Sequence, residues 1–263
     1  MKKRHISKIG FIFTILILSL ASISISYSAW TDTITIQGTV NTMEDFTYPC
    51  LEGYWKFDET SGPIAYDSSA NGYNGILKPD GTGPQWTSGQ QVNGALYFDG
   101  TDDYVDMGNT LSLTNNFTIM VWVNPSSIGI DRQIISKGYD GTNTQWELKT
   151  STNEGNVDFR KWTAGGPVGV RSSQTLTVDT WVHLAGTFDG TTWKIYWNGQ
   201  LGSNSQTASG PVETPQNLYI GAVDNGGIGQ PVQFWHGYID EVKIYSCVLT
   251  PEQILAEYQA DLL

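Results

Sequence analysis

The chain has 263 residues, is rich in glycine (29), tyrosine (13) and tryptophan (10), and only 15% of it is charged. Many turns and many large flat side chains fit an all-β sandwich better than a helical bundle, and the length suits one large β domain or two small ones. A net charge of −12 repels phosphate backbones and argues against nucleic acid as a partner.

The chain opens on Lys2, Lys3, Arg4 and Lys8, followed by the nearly apolar run Ile9 to Leu20 and then small residues. This is the pattern of an export signal over residues 1–28, with Ser26 and Ser28 placed for a cut before Ala29. The alternative is an uncleaved signal anchor, the one membrane attachment the sequence suggests. The run falls short of the ~20 apolar residues a span needs, which favours cleavage. Removal takes four of the 14 basic residues and none of the 26 acidic ones, leaving a net charge of −16.

Residues 29–49 read as a lead-in or linker in which Ile34 and Ile36 alternate with threonines, the pattern of one short strand. The main domain is expected over residues 50–263. Leu51, Gly53, Trp55 and Phe57 share one strand face. Phe117, Ile119, Val121 and Val123 share another, opposite Thr118, Met120, Trp122 and Asn124. Trp193, Ile195 and Trp197 alternate with Lys194, Tyr196 and Asn198, and Asn198-Gly199 supplies a tight hairpin turn. Leu218 and Ile220 mark a further short strand. Asn71-Gly72, Asp80-Gly81 and Gly165-Gly166-Pro167 punctuate these runs. One helix is signalled near the end: Thr250 caps, Pro251 fits the first helical position, Gln253 completes a capping box, and Ile254, Leu255 and Tyr258 form an apolar face. The two cysteines, Cys50 and Cys247, flank the domain. Export and an even count favour a disulfide that ties its ends together over two free thiols.

Four segments, in order, carry a family resemblance. They are Gly53-Tyr54-Trp55-Lys56-Phe57-Asp58-Glu59 with Asp67 to Gly75, and Ala95-Leu96-Tyr97-Phe98-Asp99-Gly100 with Asp103-Tyr104-Val105. Then come Trp181 to Gly190 leading to Tyr196-Trp197-Asn198-Gly199, and Gly237 to Tyr245 followed by Leu249 to Ile254. Together they resemble the laminin-G-like domains of the concanavalin A-like lectin/glucanase superfamily. The resemblance implies an all-β fold, a two-sheet antiparallel jelly-roll sandwich with one short C-terminal helix. Members of that superfamily bind sugars, bind proteins or cleave glycans, so the fold alone leaves function open. The lead-in, with Trp30, Asp32, Gly38, Val40 and Thr42, is similar to the start of exported camelysin-type matrix proteins.

Catalytic patterns are sparse. Glucan-hydrolysing members carry a Glu-x-Asp-x-Glu strand, and this chain has no two acids at i and i+2, the spacing that shares a strand face. Asp240 and Glu241 are neighbours and would point to opposite sides. Outside the signal there are two histidines: His183, within an apolar strand pattern, reads as packed structure, and His236 as a strand-end residue. There is no HExxH zinc pattern, G-x-S-x-G elbow or phosphate loop.

Cation binding has better material, because calcium takes carboxylate, amide and carbonyl oxygens. The resemblance suggests one structural Ca2+ held by Asp67, Asn71 and Asp240, since in similar domains this loop lies against the terminal strand. The alternative is that Asp67 and Asn71 brace turns without metal. Asp99, Asp102 and Asp103 form a second acidic group, read as a solvated hairpin tip. For sugar binding, which needs exposed aromatic faces, Tyr139, Trp146, Trp162 and Trp235 lie in or beside loop-like stretches, whereas Trp55, Trp181, Trp193 and Trp197 read as core. The expectation is a secreted or cell-surface binding module without catalytic activity, its partner a glycan. The alternatives are an interaction module for a surface-matrix protein, and a diverged glycan hydrolase or lyase with carboxylates from separate strands.

Overall fold

The computed structural model describes residues 24–26, 35–37, 48–226 and 231–262, with residues 88–92 described by their backbone alone. Most of the export signal expected over residues 1–28 and of the lead-in expected over residues 29–49 lies outside the described residues. The chain divides into two compact units, Met1–Thr47 and Tyr48–Leu263. In the first, β1 (Ser24–Ser26) pairs antiparallel with β2 (Thr35–Gln37), placing Ile25 opposite Ile36.

The second unit is a sandwich. In chain order its first strands are β3 (Leu51–Trp55), β4 (Ile64–Ala65), β5 (Gly75–Lys78), β6 (Gln85–Val92), β7 (Gly94–Asp99), β8 (Tyr104–Asp106), β9 (Phe117–Pro125) and β10 (Gln133–Tyr139). There follow β11 (Thr144–Thr150), β12 (Asn156–Thr163), β13 (Gly166–Thr175), β14 (Val182–Phe188), β15 (Thr192–Trp197), β16 (Gln200–Thr207), β17 (Leu218–Ile220) and β18 (His236–Tyr245), then helix α1 (Pro251–Ala260). Among the described residues they form two eight-stranded antiparallel sheets. The first runs β13-β12-β11-β10-β17-β8-β5-β4; the second runs β16-β15-β14-β9-β18-β7-β6, with β3 also paired to β18. Consecutive strands pair toward the edges, as in β13-β12-β11-β10 and β16-β15-β14, whereas the central neighbours β10-β17-β8-β5 and β14-β9-β18-β7 are distant in sequence, the crossovers of a jelly roll.

Alternation drives the packing. Phe117, Ile119, Val121 and Val123 of β9 enter the space between the sheets, where they meet Trp55, Phe98, Phe159, Phe188 and Trp193. Phe117 sits at the centre of an aromatic group, with ring centres 5.8 Å from Phe159 and 6.0 Å from Phe188. Of the remaining tryptophans expected in the core, Trp197 is half-buried against it, and Trp181 is half-buried beside Tyr238. The other face of β9 is buried as well, because α1 lies on the outside of the second sheet. There Met120, Ala185, Tyr196, Tyr245, Leu249 and Ile254 form a second apolar cluster. Burying a side chain the size of Ile254 stabilises by ~1.5–3 kcal/mol. The helix starts where the sequence places it: Gln253 N–H donates to Thr250 Oγ1 at 3.3 Å, and Thr250 N–H donates to Gln253 Oε1 at 2.8 Å.

The cover also seals polar groups. Lys243 Nζ lies 2.8 Å from Glu257 and 2.5 Å from Asp261. Tyr54 OH donates to Glu241 Oε2. Glu241 is the bulged residue of β18, with φ +49°, and burial together with the Asp261 charge pushes its carboxyl up to about 7. His183 is wholly buried between Trp122 and Tyr258, and burial pushes its imidazole down to about 3, so it is neutral and structural. Cys50 and Cys247 form a disulfide with Cα atoms 5.8 Å apart, tying the start of β3 to the end of β18. Asn198 and Gly199 turn from β15 into β16 with φ +49° and +74°, as the hairpin requires. Among the described residues, no helix is long and apolar enough to cross a membrane.

Candidate functional site

Among the described residues no helix covers the outer face of the first sheet, and the composition of that face follows from strand parity. In β11, Trp146 and Leu148 point into the core, so Glu147 and Lys149 point out. In β12, Val157 and Phe159 point in, so Asp158, Arg160 and Trp162 point out. The register sets Glu147 opposite Arg160 and Lys149 opposite Asp158, and it sets Arg171 of β13 opposite Asp158.

Glu147, Lys149, Asp158 and Arg160 are nearly buried, Arg171 is half exposed, and all are paired. Arg160 Nε donates to Glu147 Oε1 at 2.7 Å and Arg160 Nη1 to Asp158 Oδ2 at 2.7 Å. Arg171 Nε adds 2.8 Å to Asp158 Oδ1. Gln133 Nε2 donates to Glu147 Oε2 at 2.9 Å and also reaches Gln233 Oε1 at 2.9 Å. Lys149 pairs with Asp131. Placing ions in a poorly hydrated floor costs several kcal/mol per ion before pairing offsets it, so such a network is weak evidence for stability.

Above this floor is a hollow of about 230 Å³, lined by Tyr139, Trp162, Glu147, Arg160, Lys149 and Gln233, with Asp131 and Asp224 at its margin. One side is formed by the segment after β17, where Val223 and Val232 bridge each other. Trp162 is 37% exposed, and the Arg160 guanidinium lies 5.3 Å from its ring centre. Trp162 N–H donates to Thr144 Oγ1 at 2.6 Å, fixing the backbone beneath it, and Tyr139 OH donates to Gly141 O at 3.1 Å. An aromatic face beside several fixed donors and acceptors suits a polar ligand with apolar faces.

Two of the four aromatic candidates, Tyr139 and Trp162, thus line one hollow. The other two require correction. Trp146 is fully buried and Trp235 is 1% exposed; both belong to the core between the sheets. Trp146 shares inward parity with Leu148, and Trp235 folds inward from the end of its loop, where its backbone N–H donates to Gly221 O at 2.8 Å. Glu147, Lys149, Arg160 and Gln233 were not anticipated. Their signal was present in Glu147-Leu148-Lys149 and Asp158-Phe159-Arg160, charges alternating with apolar residues on adjacent strands.

The cation candidates are differently placed. Asp67 accepts from Tyr54 N–H at 2.9 Å, Ser69 N–H at 2.8 Å, Ser69 Oγ at 2.7 Å and Tyr73 N–H at 2.8 Å. Asn71 Nδ2 donates to Glu52 O at 2.9 Å. These bonds brace the loop against β3. Asp240 lies in the register between β18 and β9, opposite Trp122, where its Oδ1 accepts from Glu241 N–H at 2.8 Å. At the β7–β8 turn, Asp99, Asp102 and Asp103 bring carboxylate oxygens within 4.8 Å of one another. Burial, with the charges of Asp99 and Asp102, pushes Asp103 up to about 6, while Asp99 N–H donates to it at 2.8 Å.

Residues 99–255 match the family model of laminin-G type described as the concanavalin A-like lectin/glucanases superfamily. The chain belongs to the concanavalin A-like lectin/glucanase superfamily. Within it, pappalysin-1 from Mus musculus is 25% identical over 179 residues, covering 63% of this chain and 11% of that protein. The chain therefore spans only about a tenth of that relative's length. Among solved structures, domain 4 of AbnA, an extracellular arabinanase of family GH43 from Geobacillus stearothermophilus in complex with arabinotriose, matches with a TM-score of 0.65. It is 22% identical and covers 78% of this chain and 97% of that one. The ligand binding domain of botulinum neurotoxin serotype D in complex with N-acetylneuraminic acid matches with a TM-score of 0.56 at 16% identity, covering 80% of this chain and 51% of that one. These likenesses establish the shared sandwich.

Proposed function

We propose that this superfamily member is an exported carbohydrate-binding module that holds its glycan in the hollow of the open sheet without cleaving it. The observation that carries this reading is the pairing of the exposed Trp162 indole with a floor of fixed charged and amide groups, Glu147, Arg160, Lys149 and Gln233. A sugar ring offers an apolar face for the aromatic ring and a rim of hydroxyls for donors and acceptors. The sugar ligands in complex with the AbnA domain and the neurotoxin domain support the same class. Export is supported by the disulfide and by the signal-like start of the chain. Binding without turnover is supported by the state of two of the three acids that line the hollow. Glu147 is engaged by Arg160 and Gln133, and Asp131 by Lys149, whereas glycoside cleavage needs one carboxyl able to give a proton. Calcium is proposed at most as an ordering ion.

The test is a glycan array on the full chain, with calcium and with a chelator, followed by titration of the best ligand against the Trp162→Ala variant. Binding to a defined glycan class, weakened at least ~10-fold in the variant, is expected. Absence of binding in both conditions from a folded protein overturns the reading, and release of new reducing ends overturns its non-catalytic part.

A further inference from the structure

The open face carries a second hollow, of about 250 Å³, lined by Asp158, Arg160, Pro167, Gly169, Arg171 and Gln206. Arg160 lines both hollows. The outward row of β12, Asp158, Arg160 and Trp162, separates them, and its cross-strand partners on β13 are Arg171, Gly169 and Pro167. We infer that the two hollows are adjoining subsites of one groove, and that the ligand is a glycan chain of two or more sugar residues rather than one terminal sugar. This rests on the carbohydrate-binding reading above.

Three observations support the groove. The first is adjacency: both hollows lie against the outward row of β12 and have the Arg160 side chain as a common wall.

The second is the low divide between them. Opposite Arg160 stands Gly169, with φ +156°, where a Cβ would come within 2.4 Å of Arg160 Cα and of Phe159 O. No side chain fits there, so none rises beside Arg160 to close the passage. The guanidinium itself is held down by Glu147 and Asp158 and lies against the Trp162 ring. Trp162 lines the first hollow, and its cross-strand partner Pro167 lines the second.

The third is the far wall. Asn204 Nδ2 of β16 donates to Arg171 O at 2.9 Å and Ser203 Oγ to Ser173 Oγ at 2.9 Å, so the edge of the second sheet is fastened to β13. Gln206 reaches the second hollow from that edge. The Arg171 side chain is half exposed even though it pairs with Asp158, which leaves donor capacity facing solvent. Guanidinium and amide together match the vicinal hydroxyls of a second sugar ring.

The experiment is calorimetric titration of the full chain with two ladders. One runs from arabinose to arabinotetraose; the other is the one-to-four-residue series of the glycan class that binds best on the array. Affinity is expected to rise at least ~10-fold from one residue to three and then level off. Gln206→Ala and Arg171→Ala are each expected to weaken the trisaccharide about five-fold, one net hydrogen bond's worth, and to compress the ratio of trisaccharide to monosaccharide affinity. Gln206 is exposed on an edge strand, so its variant folds even if loss of Arg171 disturbs Asp158. A monosaccharide that binds as tightly as the trisaccharide, or a ratio untouched in both variants, overturns the groove while leaving the carbohydrate reading intact. No binding to any member of either ladder overturns both.

Discussion

The two outer faces of the sandwich hold comparable sets of buried charge and treat them in opposite ways. On the second sheet, Lys243, Glu241 and Tyr54 lie beneath α1, which supplies Glu257 and, at its C-cap, Asp261, next to the packed rings of Trp122, His183 and Tyr258. On the first sheet, Glu147, Arg160, Asp158, Lys149 and Asp131 form a similar network with no helix over it, and its neighbours are an exposed tryptophan and two hollows. Buried ions are costly in either place. Under the helix, the surrounding cover spreads that cost over a docking contact. On the open face the same expenditure fixes an array of donors and acceptors that the fold has no other use for. A buried ion pair therefore says little by itself; what lies above it decides whether it is structural or poised for a ligand.

The sharpest way to break this comparison is to remove one charge under the helix. Lys243→Ala leaves Asp261 and Glu257 without their partner and is expected to cost ~3–5 kcal/mol in urea unfolding, with glycan affinity of the folded fraction unchanged. Trp146→Ala, which empties a core position, is expected to cost a similar ~3–5 kcal/mol. If the folded Trp146→Ala protein has instead lost its ligand at full stability, that residue belongs to the site after all. Replacing Cys50 and Cys247 together by serine is expected to cost ~2–5 kcal/mol by thermal unfolding, since the bridge spans 197 residues. Trp162→Ala sits at the other extreme. Being partly exposed, it is expected to change stability by less than ~1 kcal/mol while carrying the large loss of affinity.

The effect that is smallest at neutral pH, and grows with acid, is that of His183. His183 has its folded pKa depressed from the ordinary value near 6.5 to about 3, so its contribution is present above pH 6.5 and is lost as the pH falls toward 3. His183→Phe is expected to track the parent at neutral pH and to gain on it by up to ~1 kcal/mol per pH unit below 6.5, read from unfolding curves between pH 7 and 4. Parallel curves for the two proteins would mean that the imidazole is not sealed by the helix.

Much of the sandwich was legible because its signals are local. The capping box at Thr250, the Asn198-Gly199 hairpin and the two-sided alternation of Phe117 to Asn124 each lie within a few residues, and each appears as read. The site was legible only in part, because it is made by register. Nothing within Glu147-Leu148-Lys149 says that Arg160 will stand across from Glu147; that follows from the β11–β12 pairing. Trp146 was misassigned for the same reason. Its side depends on its parity with Leu148, and proximity to a loop says nothing about that. Trp162, at the outer end of β12 with the same outward parity as Asp158 and Arg160, is partly exposed.

The first and last strands of the sandwich, β3 and β18, are hydrogen-bonded neighbours and are linked covalently by Cys50 and Cys247. The stretch of chain between the two cysteines thus starts and finishes within 5.8 Å, and α1 follows beyond the bridge. Tension entering at Cys50 and leaving at Cys247 runs through the bridge, so the strands between them, and the groove they carry, stay unloaded.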